Sequence, residues 1–278
     1  MPGIAIMTES NCGIMPSEET SYGIHVLPMP VIIDGKTYSE GIDITPDVFC
    51  QKQTSGSVIT TSQPSPGDVT AMWDRLLSCH DEIVFIPMSS GLSNTCQTAL
   101  ILAGSSPYQG RVHIVDNHRI SITQALSVLD AKALAEEGLS GAEIKAVLEK
   151  EAMDATIYIA VDTLEYLKKG GRITPAAAAI GTMLRLKPVL TIQGDKLDSF
   201  ARARGMKSAF HTMLNALKKD IDTRLAPLRK QGCLKIGLAN TQMEPEKLEA
   251  FKTELHENFP DMDFVYFPLT MSIGTHVG

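Results

Sequence analysis

Short apolar runs alternate with amphipathic stretches along the first half of the chain. The apolar runs predict strands at residues 3–7, 26–33, 83–88 and 112–115. Apolar positions at helical spacing predict helices at residues 46–52, 67–78, 94–103, 120–137 and 141–153. Because strand and helix alternate, we expect a parallel sheet with helices on its faces.

Two segments of the first half depart from this alternation. Pro28 and Pro30 interrupt the run at residues 26–33, so this strand is expected to be irregular or to lie at a sheet edge. The pair Asp34-Gly35 predicts a turn into residues 36–38. Residues 58–66 are rich in Thr, Ser and Pro, and we expect them to form a loop.

The second half mixes strands and helices without a regular alternation. Apolar runs predict strands at residues 157–161, 188–192, 196–200, 234–238 and 264–267, with a hairpin turn at Gly194-Asp195. Helices are predicted at residues 164–169, 174–180, 207–229 and 245–258. This pattern indicates a mixed α/β layer, and the boundary between two domains is expected near residue 155.

Composition narrows the possible functions. The net charge of −7, the absence of a basic stripe and the 5% of aromatic residues argue against nucleic-acid binding. Five cysteines without a C-x-x-C pair predict neither a disulfide framework nor a zinc knuckle, and a reducing cytoplasm is the expected location. No signal peptide is expected from the first ten residues. The charge-free stretch 83–110 is too polar inside to span a membrane.

The common catalytic motifs are missing from the sequence. It contains no G-x-x-x-x-G-K-[ST], no G-x-G-x-x-G and no H-E-x-x-H, and Ser93 is not in a G-x-S-x-G context. No two histidines lie at the spacing of a ligand pair on a helix. His113 and His118 are the closest, and two surface histidines explain them better than a metal does. We therefore expect no metal.

Three loops rich in hydroxyl groups follow predicted strands or precede predicted helices: residues 8–13, 60–65 and 89–95. In parallel sheets, ligands bind where the strands end. A helix start with backbone N–H groups and hydroxyls can hold an oxyanion, and without a Lys or Arg it suits a carboxylate or one phosphate oxygen. The alternative is that these hydroxyls only cap helices.

Three arginines and one histidine leave their roles open. Arg172 lies in the tight turn of Lys168-Lys169-Gly170-Gly171-Arg172, where it could bind an anion or only be solvated. Arg202 and Arg204 share one face of a predicted strand. They could bind a phosphate together, or they could only contribute to solubility. His276 stands near the end of the chain, where a lone histidine usually carries little information. The methionines and the apolar run 176–186 fit either a lipid pocket or ordinary core.

Several longer motifs occur in the same order as in the DegV family of bacterial fatty-acid-binding proteins, which the chain resembles over nearly its whole length. The family has a T-D-S loop after its first strand, where this chain has Glu9 in place of Asp. The other similar segments are T-S-Q-P-S at 61–65, S-G-L-S-N-T at 90–95, L-E-Y-L-K-K-G-G-R-I at 164–173, K-P-V-L at 187–190 and G-T-H-V-G at 274–278.

The resemblance implies the fold and the ligand. The expected fold class is α/β, with an α/β/α parallel-sheet domain at residues 1–155 packed on a two-layer α/β domain with a mixed sheet at residues 156–278. A long-chain fatty acid would bind with its carboxylate between the domains and its tail in an apolar pocket of the second domain. Carried over to this chain, the residues around the carboxylate would be Thr61, Ser62, Ser93, Asn94, Thr95, His276 and Gly278.

The resemblance also implies a partner. In several relatives a fatty acid kinase phosphorylates the bound carboxyl group, so catalysis would lie in the partner and this chain would need no cofactor. Arg172, with Arg202 or Arg204, would face that partner. Phospholipid metabolism is the expected context, with transient membrane contact during lipid exchange.

Two alternatives stay open at this point. The same loops could bind another anionic small molecule that has no long alkyl tail. Alternatively, Ser93 and His276 could be the nucleophile and base of a serine hydrolase, which requires a base within hydrogen-bond reach of the serine hydroxyl.

Overall fold

Strands and helices follow one another along the part of the chain that the computed structural model describes, residues 3–179, 186–193 and 196–278. The strands are β1 (Ile4–Glu9), β2 (His25–Leu27), β3 (Pro30–Ile33), β4 (Lys36–Ser39), β5 (Ile59–Thr61), β6 (Glu82–Ile86), β7 (Val112–Ile114), β8 (Ile157–Ala160), β9 (Leu186–Ile192), β10 (Asp198–Arg204), β11 (Lys235–Leu238) and β12 (Asp263–Tyr266). The helices are α1 (Glu19–Tyr22), α2 (Pro46–Thr54), α3 (Pro66–Leu77), α4 (Thr95–Ala103), α5 (Ile122–Glu136), α6 (Gly141–Lys150), α7 (Glu165–Gly170), α8 (Pro175–Ala178), α9 (Met206–Asp222), α10 (Ala226–Lys230), α11 (Pro245–Asn258) and α12 (Met271–Val277).

A four-stranded parallel sheet, in the order β2-β1-β6-β7, forms the centre of the first half. Its middle strands are apolar at nearly every position because both faces are covered. Ala5 and Met7 of β1 pack with Trp73 of α3 on one face, whereas Ile6 packs with Val128 of α5 on the other. This arrangement is the predicted parallel sheet with helices on its faces.

The chain leaves β1 for β2 on one side of the sheet and later forms β6 and β7 on the other side. The strand order therefore reverses beside β1, and in such sheets the crevice for a ligand opens at the carboxyl ends of the strands next to that point. The segments that leave these ends are residues 10–13, after β1, and 87–94, after β6.

A small antiparallel sheet in the order β4-β3-β5 packs beside the parallel one. The expected turn at Asp34-Gly35 joins β3 to β4. The prediction of a continuous loop at residues 58–66 was wrong, because Ile59, Thr60 and Thr61 pair with β3 as strand β5. These residues are β-branched, which favours a strand once a partner edge is available.

The second half contains two sheets among the residues described, where the sequence predicted one mixed sheet. The strands β10-β9-β8 form an antiparallel sheet, and β11 and β12 form a separate parallel pair. Helix α9 packs on both, since Ala209 contacts Val189 of β9 while Phe210 packs with Ile236 of β11. The fold class, α/β with a parallel sheet joined to further α/β layers, is confirmed, and the boundary at residue 155 stays a prediction.

The long helix predicted at residues 207–229 is instead two helices, α9 and α10. Pro227, near the start of α10, lacks an N–H and its ring clashes with the carbonyl four residues earlier, so α9 cannot continue through it. The predicted helix end at Ile180 and the turn at Gly194-Asp195 lie outside the described residues.

The last helix, α12, had no counterpart in the sequence prediction. It packs against α7 and also against α2, β3 and β5 from the first sixty-one residues. The end of the chain therefore lies beside its beginning. None of the helices in the described ranges has the length and apolar character that a bilayer crossing requires.

Candidate functional site

A cavity of about 620 Å³ lies among residues from both halves of the chain. This volume is within the range of small-molecule pockets, roughly 300–1,000 Å³. Most of its lining is aliphatic, including Met29, Met88, Leu92, Ile192 and Ile273. The polar side chains that line it include Thr61, Ser62, Ser93, Arg172 and His276. The cavity therefore combines a long apolar surface with a few hydrogen-bond donors.

Separate elements bring these polar groups to the cavity. Thr61 is the last residue of β5, Ser93 precedes α4, Arg172 follows α7, and His276 is on α12. Their positions in the sequence span more than two hundred residues, so only the tertiary fold makes them one site. Residues from two of the three hydroxyl-rich segments, 60–65 and 89–95, line this cavity.

The loop before α4 ends in two linked hydroxyls. Ser93 Oγ and Thr95 Oγ1 are 3.0 Å apart, and the Thr95 backbone N–H donates to Ser93 Oγ at 3.2 Å. Thr95 is buried, whereas Asn94 between them is exposed and does not line the cavity. Of this trio, only Ser93 therefore reaches the cavity.

His276 is a neutral hydrogen-bonding group at pH 7. Burial, together with the positive charge of Arg172, lowers its pKa to about 4. Its Nε2 is 2.8 Å from Thr61 Oγ1, whereas its buried Nδ1 has no hydrogen-bond partner within the described ranges. A proton on Nδ1 would be a buried unpaired donor, so we assign the proton to Nε2. Thr61 Oγ1 then accepts from the ring, and its own hydroxyl hydrogen is available to a ligand.

Two glycines hold the His276 helix against α7. A Cβ placed on Gly170 would lie 2.0 Å from His276 Nδ1, so the imidazole packs directly on the bare backbone there. A Cβ on Gly278 would lie 2.8 Å from the ring of Tyr166. The first glycine of the L-E-Y-L-K-K-G-G-R-I segment thus has a packing reason, and Gly278 packs on Tyr166 of α7 and does not line the cavity.

Arg172 is tied to backbone carbonyls. Its Nε donates to the Leu92 carbonyl oxygen at 3.2 Å and its Nη1 donates to the Gly170 carbonyl oxygen at 2.5 Å. It thereby joins α7 to the loop that carries Ser93. Arg202 and Arg204 lie elsewhere: both are exposed on β10, on the face opposite the buried Ala203, and neither lines the cavity.

The sequence analysis missed two acidic residues beneath this site, Glu9 and Glu40, whose side chains are completely buried. Glu9 Oε2 accepts from the Met88 N–H at 2.9 Å, and burial raises the pKa of Glu9 to about 7. No Lys or Arg of the described residues is comparably buried. The signals for Glu9 were its place at the end of an apolar strand and in the T-D-S motif, neither of which indicates burial, and Glu40 follows the polar strand β4 with no such signal.

A further charged group along the cavity was also missed. Arg119, Asp130 and Lys235 line it, from the segment before α5, from α5 and from β11. Burial raises the pKa of Asp130, and the charges of Arg119 and Lys235 act in the opposite direction. The Arg119 guanidinium donates to Ser127 Oγ at 3.0 Å and to the Glu151 carbonyl oxygen at 2.6 Å. The lining is therefore not uniformly apolar.

The hydrolase hypothesis requires a hydrogen bond between Ser93 and a base. The Ser93 hydroxyl instead pairs with Thr95, and His276 Nε2 pairs with Thr61. The part of the chain that the structure describes contains no cluster of three His, Cys, Asp or Glu side chains that could hold a metal ion. The groups present can bind an anion through neutral donors.

Comparison with known proteins gives consistent matches over the whole length. The family model described as "Uncharacterised protein, DegV family" matches residues 3–278. A DegV domain-containing protein of Caldanaerobacter subterraneus is 30% identical over 278 residues, which are 100% of this chain and 96% of that protein.

Two crystal structures extend this similarity to three dimensions. A DegV family protein of Thermus thermophilus, described by its fatty acid binding, has a TM-score of 0.83 at 31% identity and covers 99% of this chain and 96% of its own. DegV of Bacillus subtilis, described as a fatty acid binding protein, has a TM-score of 0.83 at 26% identity, covering 100% and 96%.

Replacement of Gly170 by alanine tests the packing of His276. We expect Gly170→Ala to push the imidazole away from Thr61 and to lower the free energy of unfolding by roughly 1–3 kcal/mol through overpacking. Urea unfolding and the ¹⁵N chemical shifts of the His276 ring measure both effects. The control is Gly67→Ala in α3, where the nearest atom to an added Cβ is 3.7 Å away. Unchanged ring shifts in Gly170→Ala would contradict the assigned contact.

The two shifted pKa values predict opposite pH dependences of stability. Folded Glu9 keeps a proton that the unfolded chain releases from its ordinary pKa of 4.5 up to about 7, so the free energy of unfolding falls as pH rises through this window. The unfolded chain protonates His276 below 6.5, whereas the folded protein does so only near 4, so the free energy of unfolding falls as pH falls through that window. Each effect is on the order of 3 kcal/mol.

Urea unfolding between pH 4 and 7.5 separates these two contributions. In Glu9→Gln the His276 contribution remains, and stability should rise from pH 4 to 6.5. In His276→Asn the Glu9 contribution remains, and stability should fall from pH 4.5 to 7. In wild-type protein the two contributions oppose each other. Its plot of the free energy of unfolding against pH should therefore have a slope between those of the two variants. Three parallel profiles would show that neither group titrates as assigned.

Proposed function

The chain belongs to the DegV family, and on this premise we propose that it binds one long-chain fatty acid in the cavity. The carboxylate would lie at Thr61, Ser93 and His276, and the tail along the aliphatic lining. The observation that carries the proposal is the pairing of neutral hydroxyl donors with a mostly apolar cavity of about 620 Å³. The fatty acid binding described for the Thermus thermophilus and Bacillus subtilis proteins supports the same ligand class.

The charge balance favours a ligand with a single negative charge. Thr61 offers a hydroxyl hydrogen because its oxygen accepts from His276, and Ser93 offers another when Thr95 Oγ1 is the donor within the pair of hydroxyls. Arg172 adds one positive charge nearby, and its Nε and Nη1 each donate to a backbone carbonyl. Each buried methylene of the tail would contribute about 0.8 kcal/mol, so the apolar wall would supply most of the affinity.

We propose further that the protein presents the bound carboxyl group to a fatty acid kinase and performs no catalysis itself. The kinase would transfer the γ-phosphoryl group of ATP to a carboxylate oxygen, giving an acyl phosphate and ADP. The exposed arginines of β10, Arg202 and Arg204, would face this partner. A cytoplasmic location, a context in phospholipid metabolism and transient membrane contact stay predictions.

Mass spectrometry of an organic extract of the purified protein tests the ligand. We expect one equivalent of a long-chain fatty acid, and a Kd for added oleate that rises about 5- to 150-fold in Ser93→Ala or His276→Ala, because each leaves part of a buried carboxylate unpaired, at roughly 1–3 kcal/mol. Ser78→Ala is the matched control, since its exposed hydroxyl only bonds Arg75 at the end of α3.

Three outcomes would count against this assignment. An empty extract with no binding of added palmitate or oleate would rule out the ligand class. Binding of an anion without an alkyl tail would favour the other small-molecule hypothesis. Normal affinity in both Ser93→Ala and His276→Ala would place the carboxylate elsewhere.

Trapping with hydroxylamine tests the partner. Protein loaded with labelled oleate, incubated with ATP and a soluble extract of the source cells, should yield an oleoyl hydroxamate from the acyl phosphate. The double variant Arg202→Ala, Arg204→Ala should keep its oleate affinity and lose at least tenfold of the yield. An equal yield from this variant would show that β10 does not face the kinase, and no hydroxamate from loaded wild-type protein would contradict the presenting role.

A further inference from the structure

The first turn of α12, the helix that carries His276, is held by the buried carboxylate of Glu40, the residue that follows β4. Glu40 has 0% of its surface exposed. Its Oε1 accepts from the Ser272 backbone N–H at 2.6 Å, and its Oε2 accepts from the Ser272 hydroxyl at 2.9 Å and from the Ser10 hydroxyl at 2.5 Å. One carboxylate thus joins the segment after β1 to the start of α12.

These three bonds explain how an acidic residue can be buried there. An unpaired buried carboxylate is strongly disfavoured, and no basic side chain among the described residues is comparably buried. Burial raises the pKa of Glu40, and the hydrogen bonds from Ser10 and Ser272 act in the opposite direction because they favour the carboxylate form. A glutamine would not reproduce the arrangement, because its nitrogen cannot accept and would face either the Ser272 N–H or the two hydroxyls.

Both residues bound to Glu40 connect directly to the cavity wall. Ser272 lines the cavity and lies four residues before His276, on the same face of α12 and about one turn away. Ser10 Oγ accepts from the Met29 N–H at 2.9 Å, and Met29 lines the cavity as well. A shift of this carboxylate would therefore move the histidine and part of the apolar wall together.

We propose that Glu40 is a positioning residue of the ligand site, which sets the His276 ring between Gly170 and Thr61 by fixing the first turn of α12. Glu40 does not line the cavity and acts only through Ser272 and Ser10. A second hydrogen bond to α12 comes from a neutral side chain: Gln53 Nε2 donates to the Gly274 carbonyl oxygen at 2.9 Å. The role assigned to Glu40 in ligand affinity rests on the proposed function, whereas its hold on His276 does not.

The ligand-free protein tests the hold on His276. In Glu40→Gln we expect the ¹⁵N shifts of the His276 ring to change and the amides of residues 271–277 to exchange with solvent at least tenfold faster. Glu143→Gln is the matched control, because Glu143 also accepts from a serine N–H and hydroxyl at a helix start, Ser140 of α6, but is exposed and remote. Unchanged ring shifts and exchange in Glu40→Gln would overturn the proposal.

A double-mutant cycle distinguishes positioning from general stabilisation. Glu40→Gln should raise the Kd for oleate about tenfold in wild-type protein and less than twofold in His276→Ala, because the histidine through which it acts is then absent. An equal loss in both backgrounds would overturn the proposal. If Glu40→Gln does not fold, Ser272→Ala, which removes one of the three donors, should show the same coupling with a smaller effect.

The measurements on ligand-free protein and those with oleate also distinguish the proposed fatty acid binding from the proposed role of Glu40. If wild-type protein binds no fatty acid, the proposed function fails, and the measurements on the ligand-free protein still decide whether Glu40 holds His276. If fatty acid binds but His276 is unaffected by Glu40→Gln, the proposed function stands and the positioning role fails.

Discussion

The site depends on one constraint, the placement of the short helix α12 against both ends of the chain. Its seven residues could not hold a fixed position by helix propensity alone, because isolated helices of that length are marginal in water. Glu40 and Gln53 bind its backbone from the first part of the chain, and Gly170 and Tyr166 pack against it from α7. His276 and Thr61, which are 215 residues apart, meet only because these contacts agree.

The buried acidic groups of this region, Glu9 and Glu40, have no comparably buried basic side chain among the described residues to balance their charge. Glu40 remains compatible with the interior because three donors face it. Glu9 accepts from the Met88 N–H, and burial raises its pKa to about 7. Burial lowers the pKa of His276 to about 4, which favours the neutral ring. Around Thr61, Ser93 and His276 the cavity therefore presents hydroxyls and a neutral imidazole beside the single positive charge of Arg172, a suitable environment for one carboxylate.

The parallel sheet explains why the site lies where it does. β1 and β6 end next to the point where the strand order reverses. Glu9 is the last residue of β1, and the segments that follow the two strands carry Ser10 and Ser93. The parallel sheet supports these segments, and helices cover both of its faces. The second half closes the cavity with α7, α12 and the strands β8 and β9, so that apolar residues from both halves, such as Met88 and Ile273, form one cluster.

The sequence alone determined the alternation of strands and helices around the parallel sheet, since its strands have short apolar runs and the helices that cover it have apolar positions at helical spacing. It also indicated the loops of Thr61 and Ser93 as anion-binding candidates, because hydroxyls followed strands or preceded a helix. It could not show β5 as a strand, the break before Pro227 or α12, since each depends on a partner surface or on competition between local signals. Only the tertiary structure decided that Glu9 and Glu40 are buried, that Gly170 makes room for His276, and that Arg202 and Arg204 lie outside the cavity. Burial and long-range contact belong to pairs of distant residues, and local sequence pattern carries no information about such pairs.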